Sequence, residues 1–168
     1  MFSLKRFYCL LIMTVITISS IVAIEIAELR EEIENMIIME TAKSNSRESK
    51  LISLQYIMDS LKRGGNNILV LHDTLKFLAL EGIAYENIED CVQNNFPDVR
   101  LEAVRLLGQL NIVEARITLI EVIKYENNPM VLHEAIISLL LYWGKLYENV
   151  EEINIIINAI EKIVNQNW

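Results

Sequence analysis

Residues 94–110 read NNFPDVRLEAVRLLGQL, and residues 127–143 read NNPMVLHEAIISLLLYW. Pro97, Val99, Glu102, Ala103, Val104 and Leu107 correspond to Pro129, Val131, Glu134, Ala135, Ile136 and Leu139 at a constant offset of 32. The shared residues are of the kind that packing of helices requires. A proline suits the first turn of a helix, where its missing N–H costs nothing. Alanine permits close approach of helices, and Val, Ile and Leu recur at helical spacing. Asp98 falls in the first turn, where a negative charge meets the helix dipole favourably.

A second match runs from VLHD at 70–73 to VLHE at 131–134, from Gly82 to Gly144, and from YENIED at 85–90 to YENVEE at 147–152. Its offset is nearly twice the first, which predicts three related units of about 31 to 35 residues over 66–163. Outward from these, SKLISLQYIMDSLKR reads as a helix closed by GGNN at 64–67, and NILVLHDTLKFLALEG as another closed by Gly82. YENIEDCVQNN reads as a shorter helix. Nothing alternates with period two over a useful length, so the predicted class is all-α.

Composition agrees. The chain has 168 residues, 52% of them apolar, with two prolines and five glycines. That is enough for one ordinary domain and too hydrophobic for a disordered chain.

The N-terminus stands apart. Lys5 and Arg6 precede the uncharged run FYCLLIMTVITISSIVAI (7–24), which acidic residues follow. This order predicts a signal peptide or a transmembrane anchor over 1–24, with residues 25–168 outside the cytoplasm, periplasmic or held at the inner membrane. Residues 25–45 read as an acidic amphipathic helix and linker, with Ile26, Leu29, Ile33, Met36 and Ile37 at helical spacing: a packed cap or a stalk leaving the membrane. KSNSRES interrupts it with the capping residues Ser44, Asn45 and Ser46. The remaining domain is 46–168.

Without residues 1–23 the chain keeps 13 basic residues (15 less Lys5 and Arg6) against 23 acidic, a net charge of −10. Nucleic-acid binding needs clustered Lys and Arg, and the longest cluster is KRG at 62–64, so nucleic acid is not an expected partner. Cys9 lies in the apolar run and leaves Cys91 alone, expected as a small packed residue without a disulfide.

PDVRLEAVRLLGQL followed by EARITLIEVIKYE resembles a HEAT-like repeat, of the short variety also found in bilin-lyase-related proteins. Asp98-Val99-Arg100, Glu102-Ala103, Leu106-Leu107-Gly108, Ala115 and Leu119 carry the resemblance. It implies a right-handed α-solenoid of three to four hairpins over 46–168, in which Asp98 and Arg100 link successive turns by hydrogen bonds. The unit from 129 has Met130 and Leu132 in their places.

The sharpest catalytic idea is metal binding by His72, Asp73, His133 and Glu134. LHEAI at 132–136 is similar to the His-Glu motifs of deoxyhypusine hydroxylase, a HEAT-like di-iron enzyme built from four such pairs. This chain offers one pair and a His-Asp, too few ligands for that centre, so no metal and no cofactor is expected. HExxH, GxxxxGK[ST], GxSxG and Cys-x-x-Cys are all absent, and no catalytic residue is expected. A solenoid presents an extended surface, so the predicted function is a non-catalytic protein-interaction or scaffold module of the bacterial cell envelope. The alternative is a lyase-like or metal-dependent HEAT-repeat protein holding a small ligand. The candidate partner-binding residues are Arg100, Arg105, Arg116, Tyr142, Trp143, Tyr147 and Ile156. The last helix, with Ile153, Ile155, Ile156, Ile157, Ile160, Ile163 and Val164, carries more apolar surface than one neighbouring hairpin covers. It is therefore expected to dock on a second subunit or another protein.

Overall fold

A computed structural model of the chain describes residues 2–64, 67–83, 94–140 and 150–166; most side chains before Val22, and those of 150–152 and 166, are outside the description. Every regular element among the described residues is an α-helix, so the class is all-α. The helices are α1 (Phe2–Lys43), α2 (Arg47–Lys62), α3 (Ile68–Leu80), α4 (Pro97–Leu107), α5 (Val113–Tyr125), α6 (Pro129–Leu140) and α7 (Val150–Gln166). The expected helix over 85–95 and the Gly82–Gly144 and YENIED–YENVEE matches fall largely outside the described residues.

The chain divides into two compact units, Met1–Met36 and Ile37–Trp168. The first is the greater part of α1. No glycine or proline precedes Gly64, and nothing in the sequence breaks this helix before KSNSRES. From Val22 to Arg30 its side chains are exposed. Among the described residues no helix is long and apolar enough to cross a membrane. Most side chains of the apolar run 7–24, on which the signal or anchor expectation rests, lie outside them.

In the second unit the ends of the helices follow local chemistry. Ser46 caps α2, its hydroxyl oxygen accepting from the Ser49 N–H at 3.3 Å. Gly64 ends that helix with a φ of 73°, a backbone conformation that glycine adopts freely. Pro97 and Pro129 are the first residues of α4 and α6. Asn128 caps α6 by accepting from the N–H groups of Met130 and Val131 at 3.0 and 3.3 Å.

Packing follows one rule: α2 lies against α4 and α4 against α6, while α3 lies against α5 and α5 against α7. The two rows join where α3 meets α4 and α5 meets α6. Counting from the first residue of α2, α4 and α6, the fourth position is Lys50, Arg100 and Leu132, and the seventh is Ser53, Ala103 and Ala135. The eighth is Leu54, Val104 and Ile136, and the eleventh Ile57, Leu107 and Leu139. All twelve are buried. Ala103 and Ala135 are fully buried, and Ser53 matches them in α2. At Gly108 an added Cβ would sit 2.8 Å from both Cβ and Oγ of Ser138, so α4 and α6 approach closely there.

This arrangement corrects the second sequence match. VLHD at 70–73 belongs to α3, in the row of α5, whereas VLHE at 131–134 belongs to α6, in the row of α4. The helix that stands in the row of α4 and α6 is α2, which begins 50 residues before α4.

Candidate functional site

Two buried cations organise the second unit. Arg100, only 3% exposed, donates from Nε to Oε2 of Glu126 at 2.7 Å and from Nη2 to Oε1 at 3.3 Å, while Nη1 donates to Oδ1 of Asn95 at 2.7 Å. Glu126 is 1% exposed and follows the last residue of α5; its Oε1 also accepts from the N–H groups of Asn127 and Asn128. Lys162 on α7 completes the network, donating to the Glu126 carbonyl at 2.7 Å and to Oδ1 of Asn127 at 2.6 Å.

Lys50 repeats the arrangement from α2. It is fully buried, donates to the Ala42 carbonyl at 2.7 Å, pairs with Glu81 at 2.7 Å and stands 5.3 Å from the centre of the Phe77 ring. Glu81 follows the last residue of α3 as Glu126 follows that of α5. Asn94, with a φ of 64°, donates to both Glu81 and Asn45. A charge out of water is tolerated only when paired and fully hydrogen-bonded, and both cations meet that condition.

Arg100 is thus corrected as a partner-binding residue: it is interior, because its guanidinium satisfies the end of α5 and the start of α6. Asp98 does link neighbouring helices, pairing with Arg47 on α2. Burial raises the Asp98 carboxyl, but the Arg47 hydrogen bond and charge, with its own and Val99's N–H, outweigh it, leaving the group below its ordinary value. Arg105 is exposed but spans Glu134 on α6 at 3.2 Å and Glu102 at 2.6 Å; the Glu134 hydrogen bond is the largest cause of its raised pKa. Arg116 is half-buried on α5. Tyr142, Trp143, Tyr147 and Cys91 lie outside the described residues.

His72 is buried, with Nδ1 3.0 Å from Oδ1 of Asp73 and Nε2 3.1 Å from the Thr118 hydroxyl. When Nδ1 donates to the carboxylate of its neighbour on α3, Nε2 accepts from the hydroxyl on α5, so the second contact joins the two helices. His133 is exposed on α6, and Glu134 is held by Arg105. Among the described residues no three His, Cys, Asp or Glu side chains gather as a metal site.

Apolar rows mark the surface; the one on α6 was not expected from the sequence, whereas the apolar excess of α7 was expected without its phase. On α6, Met130, Ile137 and Leu140 are exposed together with His133. On α7, Ile153, Ile157, Ile160 and Val164 are exposed at spacings of four, three and four. Ile156, named from the sequence, faces the other way: it is 6% exposed and belongs to the core with Ala159. The run Ile155-Ile156-Ile157 gives no phase by itself, since any of the three satisfies helical spacing.

Among the described residues are depressions that small molecules could enter. One of about 220 Å³, lined by Met39, Ala42, Val70 and Phe77 among others, is below the range of ~300–1,000 Å³ usual for ligand sites. Another, about 420 Å³ between α2 and α4, is lined by Leu51, Met58 and Leu101, and its polar members Asp98, Glu102 and Gln55 are already bound to Arg47, Arg105 and Asp59. Neither offers the convergent polar groups of a small-molecule site, whereas the apolar rows offer area for a protein. No known protein family, curated protein or solved structure matches the chain.

Proposed function

We propose that the chain is a non-catalytic interaction module of the bacterial cell envelope: a right-handed α-solenoid of HEAT-like hairpins, exported or membrane-tethered by residues 7–24. Its hairpins are α2 with α3, α4 with α5, and α6 with α7. This reading draws support from the contact of each helix with those one and two places along the chain, as stacked hairpins require. The shared burial of the fourth, seventh, eighth and eleventh positions of α2, α4 and α6 points the same way.

The observation that carries the binding role is the row Ile153, Ile157, Ile160 and Val164 on α7, which no described element covers. Covering half-exposed aliphatic side chains is worth roughly 1 kcal/mol each. A partner helix with a complementary apolar row fits this spacing. The α6 row of Met130, Ile137 and Leu140 is a second contact area.

The test is crosslinking in the native cell, with recovery of partners by the full chain and by an Ile157→Glu/Ile160→Glu variant. The expected result is a defined protein captured by the first and lost from the second at unchanged melting temperature. Equal capture by both, or capture of nothing by either, would sink the proposal.

A further inference from the structure

Between Val22 and Met36 the first unit carries an exposed apolar seam. Val22, Ile26, Leu29, Ile33 and Met36 recur at spacings of four, three, four and three, and all five are exposed, Leu29 at 57%. This is the heptad period of a coiled coil, not the broader stripe of a helix covered by a globular core.

Assigning the seam to a and d places Ile26 and Ile33 at a, and Val22, Leu29 and Met36 at d. Isoleucine at both a positions, with leucine at the central d, favours two parallel strands. The flanks decide the orientation. Glu25 and Glu32 fall at g, and Arg30, the one basic residue between Glu25 and Met36, falls at e.

In a parallel pair a g residue faces the e residue of the next heptad on the other strand, so Glu25 of each chain meets Arg30 of its copy, twice by symmetry. In an antiparallel pair g faces g and e faces e, setting glutamates against glutamates. Glu25 and Arg30 are both exposed in the single chain. Glu28 and Glu31 fall at c and f, away from the seam, where their charge stays in water.

We infer that residues 22–36 form a parallel, in-register two-stranded coiled coil with a second copy of this chain. The occupant is a copy rather than a foreign helix because one segment supplies both halves of the charge pattern, Glu25 and Arg30, at the offset a parallel copy needs. The inference does not rest on the binding role of α6 and α7.

The experiment uses the full chain in detergent micelles, with Cys9→Ser and Cys91→Ser removing the native thiols. Leu29→Cys or Met36→Cys, each at d, is expected to form a disulfide-linked dimer under mild oxidation, while Glu31→Cys at f stays monomeric. Separately, Arg30→Glu is expected to weaken dimerisation roughly tenfold, two ion pairs being replaced by repulsion. Adding Glu25→Arg to it is expected to restore the dimer, a rescue that a merely structural defect would not show. A monomeric full chain, equal crosslinking at positions 29, 36 and 31, or a charge swap without rescue would each overturn the inference.

Discussion

Lys50 and Arg100 hold the same place, the fourth residue of α2 and of α4, and each ends on a glutamate that closes the following helix, Glu81 and Glu126. The two pairs differ in geometry. Arg100 grips its carboxylate with two nitrogens, whereas Lys50 is a point charge shared between Glu81, the Ala42 carbonyl and the face of Phe77.

Removing one partner of a buried pair strands the other charge. Arg100→Met is therefore expected to lower stability by about 3–5 kcal/mol in urea unfolding, and Arg100→Met with Glu126→Gln to regain at least half of that. Arg100→Lys is expected to fail as a conservative change, because one ammonium cannot reach Glu126 and Asn95 together in the geometry of the fork.

Gly108 is fixed by its neighbour and not by its backbone angle, which is ordinarily helical. Gly108→Ala drives a methyl group into Ser138 and is expected to cost about 1–3 kcal/mol. The double variant with Ser138→Gly is expected to lose less stability than the two single effects sum to, read as a coupling energy in a double-mutant cycle.

The phase of α7 is open to a direct contrast. Ile156→Glu is expected to unfold the end of the domain, at several kcal/mol, because the residue lies in the core. Ile157→Glu, one position on, is expected to change stability by less than about 0.5 kcal/mol. Circular dichroism melts of the two variants check this.

Asp98 is held below the ordinary carboxylate range by Arg47. A carboxylate lowered on folding contributes stability that is complete above its unfolded value, about 3.9, and is lost as the pH falls through the folded value. Stability is therefore expected to decline below about pH 4, with Asp98→Asn removing part of that slope. The pair is half-exposed, so the loss at neutral pH is expected to be only about 0.2–1 kcal/mol and to shrink in high salt.

Local features were the legible ones. Pro97, Pro129 and the helix-breaking KSNSRES and Gly64 act within one turn of themselves, and the helices begin and end there. The echo between 97 and 129 was legible because only a three-residue connection separates α5 from α6, leaving a regular offset. The place of α2 was hidden by the longer connection before α4, and the VLHD–VLHE match filled the gap with a resemblance between helices of different rows. Arg100 looked like a surface contact because its partner Glu126 is 26 positions away. The outward row of α7 was unreadable for a related reason: in a stretch of three isoleucines, only the neighbouring helices determine which one is covered.

The reach of Lys162 has a mechanical side. Through its bonds to Glu126 and Asn127 it fastens α7 to the turn before α6, and that turn is fastened in its own right to α4 by Arg100. A pull on α7 is therefore resisted by polar clasps arranged in series, each of which must part before the apolar faces beneath can slide.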